Sequence, residues 1–288
     1  MSHPHLLSFG HGYSARALAK RLVPQGWTIT GTTRDTDKFE TMRASGVTPI
    51  LPQDLPIWAG LDTVSHLLVS AAPDQDGDPF LSRFADLLPR LAPKLTWVGY
   101  LSTTGVYGDH NGDWVDETTP LNPATRRGQY RVEAESAWQE ACRALGLPLS
   151  IFRLAGIYGP GRGPFAKVRN GTARRIIKEG QVFSRIHVED IAQTVEASMN
   201  RPDSSGIFNV CDDDPAPPQD VIGHAAELLG LPLPEAVPFD EADMTPMARS
   251  FYAESKKVRN DKMKEVLGVQ LIYPDYRRGL RALLEAEE

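Results

Sequence analysis

Apolar and polar positions along the first half of the chain switch between two spacings, and the switches fall at glycines and prolines. "HLLSFG" is a short apolar run ending in glycine. "SARALAKRLVPQG" then sets its apolar residues at helical spacing and stops at Pro24 and Gly26, after which "WTITGTTR" is β-rich again. A strand, a helix and a second strand within about 30 residues predict a parallel pair joined by a crossover helix. The alternation continues through helical "DTDKFETMRASG", extended "VTPILP" and the buried strand of "TVSHLLVSAA". It goes on with a helix around "PFLSRFADLLPRLA", a strand in "LTWVGYLST", a long helix in "YRVEAESAWQEACRALG" ending at Gly146, and a strand in "PLSIFRL". This rhythm predicts an α/β fold of the Rossmann type, a doubly wound parallel sheet.

Past Leu154 the rhythm changes. "AGIYGPGRGP" reads as a glycine- and proline-rich loop, "VRNGTARRIIKEG" as a helix, and "VFSRIHVEDIAQTVEASM" as a short strand and a helix. "GIFNVCDD" gives one more strand, while "PPQDVIGHAAELLG" and "SKKVRNDKMKEVLG" read as outer-layer helices. The expected organisation is a dinucleotide-binding Rossmann domain over residues 1–154, to which 183–210 return. Residues 155–182 and 211–288 would form a smaller C-terminal substrate-binding subdomain, with a cleft between the two.

Residues 10 to 15 read Gly-His-Gly-Tyr-Ser-Ala, a G-x-G-x-x-A pattern that follows a strand and opens a helix. In that place Gly10 makes the tight turn, Gly12 lets the backbone approach a pyrophosphate, and Ala15 permits close helix–strand packing. The phosphates then rest on the helix N-terminus beside Tyr13 and Ser14. A glycine turn that serves packing alone is the bland alternative. Ser70, Ala71 and Ala72, which end the strand of "TVSHLLVSAA", complete the expected cofactor set on that side.

The second strand ends "GTTRD". An acidic residue near this point suits the ribose 2′-hydroxyl of NAD, and an arginine suits the 2′-phosphate of NADP. Arg34, with Thr32 and Thr33 as hydroxyl donors, favours NADP; Asp35, which follows at once, keeps NAD open.

Composition sets the outer limits. The chain has 288 residues, 41% hydrophobic and 24% charged, with a formal net charge of −6. That balance argues against a nucleic-acid partner. No window approaches about 18 consecutive apolar residues, and the N-terminus lacks the charged start and long apolar core of a signal peptide. The expectation is a soluble cytoplasmic protein with a small-molecule substrate and no membrane partner. Cys142 and Cys211 are too few for a disulfide framework and read as reduced structural residues. His3, His5, His11 and His66 show no metal-ligand spacing.

Four segments together resemble the extended short-chain dehydrogenase/reductase family, the group that includes epimerases and dehydratases of the NAD-dependent epimerase type. They are the glycine loop, "YLSTTGVYGDHNGDWVDETTPLNP" with its V-Y-G, "FRLAGIYGPGR" and "RIHVEDIA"; the closing "SKKVRNDKMKEVLG" is also similar. The resemblance spans nearly the whole chain. It implies a catalytic hydroxyl three residues before the valine of V-Y-G, here Thr103. It also implies a catalytic tyrosine some 25 residues further on, in a Y-x-x-x-K pattern, which makes Tyr130 the match.

That pattern is broken at Ala134. On a helix, positions i and i+4 share a face, so a lysine there would hold its ammonium near the phenol and favour tyrosinate. An ordinary tyrosine titrates near 10, so roughly one in a thousand is ionised at pH 7. Arg131 lies about 100° round the helix from Tyr130 and is not expected to substitute. Arg127 and Arg126 share the side of Tyr130 if the helix begins early enough; exposed N-terminal arginines are the plainer reading. Taking a proton from an alcohol needs tyrosinate, whereas giving one to a carbonyl needs only the neutral phenol. The sequence therefore points to an NADP(H)-dependent oxidoreductase that reduces a small carbonyl or sugar-like substrate. The alternatives are a catalytically silent dinucleotide-binding sensor and a sugar epimerase.

Other polar residues add less. His187 and Asp190 fall where a helix starts and read as capping or packing groups. Nucleotide-sugar epimerases of the resembled family carry a diphosphate-holding arginine four residues before that histidine; here it is Phe183. Family dehydratases carry an acidic pair after the catalytic threonine; here the residues are Thr104 and Gly105. Asp116 and Glu117 read as a surface loop. Arg185, Tyr158 and Arg162 are candidates for the cleft. The "AESAWQEACRAL" helix would serve either a homodimer or packing within the monomer.

Overall fold

Runs that are apolar on both faces can only lie between layers of helix, and the computed structural model, which describes residues 4–287, places them there. In chain order come β1 (His5–Phe9), α1 (Tyr13–Leu22), β2 (Thr28–Thr32), α2 (Phe39–Ala44), β3 (Thr48–Ile50), β4 (His66–Val69), α3 (Pro79–Phe84), α4 (Leu87–Leu91) and β5 (Trp97–Thr103). The short β6 (Trp114–Val115) precedes α5 (Arg126–Leu145), β7 (Leu149–Leu154) and β8 (Gly156–Tyr158). Then follow α6 (Phe165–Arg169), β9 (Arg175–Ile177), β10 (Arg185–His187), α7 (Val188–Met199) and β11 (Gly206–Val210). The chain closes with α8 (Pro218–Leu228), β12 (Ala236–Pro238), α9 (Pro246–Phe251), β13 (Lys257–Val258), α10 (Asp261–Leu267) and α11 (Tyr276–Glu285).

Seven strands form one parallel sheet in the order β11-β7-β5-β4-β1-β2-β3. This is the doubly wound α/β arrangement. The direction of winding reverses between β1 and β4, and a crevice opens beyond the carboxyl ends of the strands at such a point. On one face α1 and α7 cover a core that includes Leu6, Leu18, Trp97 and Phe152. On the other, α3, α4 and α5 cover a core built round Phe80, Tyr100 and Trp138. A third cluster, with Phe165, Ala225, Tyr276 and Leu280, holds the C-terminal elements together. The described residues also form three two-stranded parallel pairs, β8–β10, β9–β12 and β6–β13, of which β8–β10 lines the crevice.

Three elements differ from the sequence pattern. The helix expected through "VRNGTARRIIKEG" ends at Arg169, because Gly171 turns with φ 68°, and residues Arg175–Ile177 become β9. β-branched Ile176 and Ile177 suit that strand better than a helix. "SKKVRNDKMKEVLG" is a strand, β13, before the helix α10 begins at Asp261. The long helix α5 starts at Arg126, four residues before Tyr130, with Thr125 as its cap. Its apolar side, Ala134, Trp138 and Cys142, is buried within the monomer core. His3 lies outside the described residues.

Candidate active site

The glycine loop is held from both sides. Gly10 has φ 82°, and a Cβ there would stand 2.7 Å from the amide nitrogen of Ala71, so only glycine fits. Its amide donates to Thr32 Oγ1 at 2.7 Å, and Ser70 Oγ donates to its carbonyl at 2.5 Å. Gly12, the N-cap of α1, is exposed, and a Cβ on it would meet nothing nearer than Gly10 O at 3.7 Å. No side chain caps this helix, which leaves first-turn amides for a ligand. A pyrophosphate fits this cradle.

Tyr13 ties the loop to the far half of the chain. Its hydroxyl donates to Pro160 O at 3.1 Å, and the Arg162 guanidinium lies 5.7 Å from its ring centre. At the end of β2, Asp35 is already engaged: it caps the next turn at Asp37 N and pairs with Lys38 at 3.0 Å, which holds its carboxyl below the usual range. Arg34 is exposed and forms no ion pair among the described residues.

A cavity of about 790 Å³ runs from Gly10 and Gly12 past the carboxyl ends of β4 and β5 to α5 and the C-terminal elements. Of the expected cofactor residues, Gly10, Gly12, Tyr13, Ser14, Ser70 and Ala72 line it. Ala15 is buried in the core below the loop, and the backbone of Ala71 abuts Gly10. Thr33 and Arg34 lie outside the lining. Thr103 lines the cavity where β5 ends; its Oγ1 accepts from Gly105 N at 3.2 Å, so the hydroxyl proton is left for a ligand.

Tyr130 is not brought to the cavity. The face of α5 that lines it carries Arg127, Gly128 and Arg131, while the ring of Tyr130 lies beneath the Arg126 guanidinium, 5.6 Å from its carbon. The cause is a close approach. A Cβ at Gly128 would stand 2.7 Å from Pro123 Cβ and 3.0 Å from Gly105 O, so the helix turns its side chain-free position towards the end of β5. Arg127 and Arg131 then take the i and i+4 positions of the cleft face, and Tyr130 points about 100° away from Arg131. Ala134, one turn on, is buried in the packed core.

Arg131 is fixed in place. Its Nη1 donates to Leu101 O at 2.6 Å and to Tyr100 Oη at 3.0 Å. Beneath it lies a buried network. Arg153 and Glu135, each 3% exposed, meet at 2.8 Å. Ser102 Oγ donates to Glu135 at 2.5 Å, Arg153 donates to Tyr107 Oη at 2.9 Å, and Tyr107 donates to Asn209 Oδ1 at 2.7 Å. Burial pushes the Tyr107 phenol up to about 12. This network joins β5, α5, β7 and β11, and so fixes the residues on either side of Thr103.

The opposite wall comes from the C-terminal half. Arg185 donates to Phe183 O and Ala216 O, and Asp212 stands near it with its carboxyl raised to about 8 by burial, against the pull of that arginine. Lys256, just before β13, donates to Gly108 O at 2.7 Å and pairs with Glu254 at 2.6 Å. Phe183, Tyr158 and Arg162 line the cavity too. His187 caps α7 through Nδ1, and Asp190 accepts from the amides of Ile272 and Tyr273. Glu117 accepts from Asn209 N at 2.7 Å, while Asp116 caps its own turn. Among the described residues no group of side chains suits a metal ion, and no helix is long and apolar enough to cross a membrane.

The family model described as "NAD dependent epimerase/dehydratase family" matches residues 85–211. Protein YeeZ of Escherichia coli (strain K12) is 31% identical over 240 residues, covering 78% of this chain and 84% of that one. The chain belongs to the NAD-dependent epimerase/dehydratase family. Among solved structures, a functionally unknown conserved protein from Silicibacter pomeroyi DSS is 61% identical with a TM-score of 0.92, over 98% of this chain and 99% of that one. The dTDP-glucose 4,6-dehydratase of Bacillus anthracis in complex with NAD shares the fold, with a TM-score of 0.80 at 16% identity over 98% and 96% of the two chains.

The spacing along the chain relates Arg131 to Tyr130 rather than to the cleft, and the pattern of "SKKVRNDKMKEVLG" places Lys256 in a helix, so neither stands out as a cavity residue. The signal available for the first was Gly128, a glycine inside a helix that marks a close approach.

Proposed function

We propose that this chain is an NADP(H)-dependent reductase of a small carbonyl substrate. The observation that carries the reading is one continuous cavity that joins the uncapped start of α1 to Thr103 and Arg131. Gly12 and the first-turn amides of α1 hold the pyrophosphate, and Arg34, with Asp35 turned to Lys38, receives the 2′-phosphate. The bound nicotinamide supplies the hydride.

The chain's own residues do the rest. Thr103 donates its hydroxyl proton to the substrate oxygen. Arg131, held by Leu101 O and Tyr100, sets a fixed positive charge where that oxygen gains electron density. An arginine does not lose its proton in a protein, so it stabilises the oxyanion without acting as the acid. The proton passes through Thr103, which regains one from solvent.

The test compares wild type with Thr103→Val, Arg131→Met and Tyr130→Phe in NADPH oxidation over aldehydes, ketones and keto-sugars. Thr103→Val should keep NADPH binding and lose turnover, Arg131→Met should lose turnover, and Tyr130→Phe should behave as wild type. Loss of turnover in Tyr130→Phe alone would overturn the assignment. The position of Tyr130 outside the cavity also favours a second reading, a dinucleotide-binding sensor that does no chemistry. That protein would bind NADPH in wild type and Thr103→Val alike and oxidise it with no carbonyl in the screen.

A further inference from the structure

The charge of the cavity runs against the charge of the chain. The protein has a net charge of −6, yet the cavity is lined by Arg127, Arg131, Arg162, Arg185 and Lys256 against a single carboxylate, Glu254. Lys256 and Glu254 neutralise one another. None of the four arginines forms an ion pair among the described residues. Like charges gathered in a crevice repel one another and focus a field that draws anions in.

A dinucleotide pyrophosphate answers only part of this. It belongs at the start of α1, where Arg162 lies over Tyr13. Arg127, Arg131 and Arg185 remain at the other end, and Arg131 is committed to the reacting oxygen. Arg127 Nη2 donates to Ser250 Oγ at 3.3 Å, and its carbon lies 5.6 Å from the centre of the Phe251 ring. The next residue, Tyr252, packs edge-on against Phe183 at 5.9 Å, and the Phe183 ring lies 6.0 Å from the Arg185 carbon. Arg127 and Arg185 thus bracket an apolar wall made by the end of α9 and Phe183. An anion between them gains a planar guanidinium fork beside an aromatic wall.

We infer that the substrate is a small carbonyl compound bearing a carboxylate or phosphate group, and that Arg127 receives this group, with Arg185 adding to the field. The carbonyl part rests on the reductase reading; the anion part rests on the cavity's charge. The cavity must also admit the cofactor, so the space left at its far end suits a small molecule. Arg127 therefore sets specificity from one turn before Arg131, on the same face of α5.

The experiment uses matched carbonyl pairs with the full-length protein: 2-oxo acids against their methyl esters, and phosphorylated against free short-chain aldehydes. In NADPH oxidation, the charged member of one pair should be preferred, and the pair that responds separates carboxylate from phosphate. Arg127→Met should raise KM for that charged member about tenfold or more, with NADPH affinity and KM for the neutral partner unchanged. Equal use of charged and neutral members, or an unchanged KM in Arg127→Met, would overturn the inference. If no carbonyl is reduced, thermal shifts of NADP-loaded protein with the same compounds decide the matter. A shift from charged members that Arg127→Met removes supports the anion seat while the reductase reading fails; no charge-dependent shift in wild type sinks the anion seat.

Discussion

Two glycines two residues apart should fail in opposite ways, and the contrast tests the cofactor cradle. At Gly10, alanine must adopt φ 82° with its Cβ 2.7 Å from Ala71 N and 3.0 Å from Ala71 Cα. The backbone conformation costs about 1–2 kcal/mol and the overpacking about 1–3 kcal/mol. A loss of roughly 2–5 kcal/mol lowers Tm by about 5–15 °C in a chain of this size. At Gly12, φ is −96° and the nearest atom to a new Cβ is 3.7 Å away. Alanine there forfeits only glycine's advantage as an N-cap, below about 1 kcal/mol. Its methyl group stands in the open path to the α1 amides. Losing hydrogen bonds to a charged phosphate, worth about 1.5–3 kcal/mol, raises the NADPH Kd roughly ten- to hundredfold. Thermal unfolding without ligand and calorimetric titration with NADPH measure the two effects separately. The reasoning fails if Gly12→Ala binds NADPH as wild type does, or if it loses as much Tm as Gly10→Ala.

Three further outcomes follow from the geometry. Glu135→Ala leaves Arg153 buried without its partner and should cost about 3–5 kcal/mol in urea denaturation, whereas Glu135→Leu with Arg153→Met should recover much of it; a single-variant cost below about 1 kcal/mol contradicts the account. Burial lowers His11, His66 and His187 to about 4. Between pH 6.5 and 4 the unfolded chain takes up protons that the folded one refuses. Stability should therefore fall on acidification by up to about 1.4 kcal/mol per pH unit per histidine, with no contribution from these groups above pH 7. Urea midpoints at stepped pH check this, and His66→Gln should flatten the slope by one histidine's share. Arg34→Ala should weaken NADPH binding about tenfold and leave NADH binding unchanged; equal losses for both nucleotides remove Arg34 from the 2′-phosphate site.

The sheet and the glycine loop were legible in the sequence because each is a local matter. The spacing of Leu6, Leu7 and Phe9, the turn at Gly10 and the helical stripe of Ala15, Leu18, Ala19 and Leu22 lie within 20 residues of one another, and local periodicity reports them. The frame of α5 was not legible. Tyr130 satisfied a spacing counted along the chain, but the face of the helix is set by Gly128 resting on Pro123 and Gly105. One turn of helix turns on that contact, and a count of residues does not contain it. Lys256 was hidden for a different reason: its partner Gly108 O is 148 residues away, and the two-residue β13 that follows it is too short for any periodic signal. Arg153 and Glu135 lie 18 residues apart on different elements, and no local pattern pairs them; the fold buries both and joins them.

The final strand of the sheet comes late in the chain. β11 pairs with β7 from Gly206↔Ser150 to Val210↔Leu154, while the segment between them builds one wall of the crevice. A chain that has emerged only as far as Leu154 holds β7 as a bare edge, with Ile151 and Phe152 ready to pair with a stranger. A gene fragment cut there should yield aggregates, not a nucleotide-binding module. The pocket wall and the edge of the sheet thus depend on the same stretch of chain.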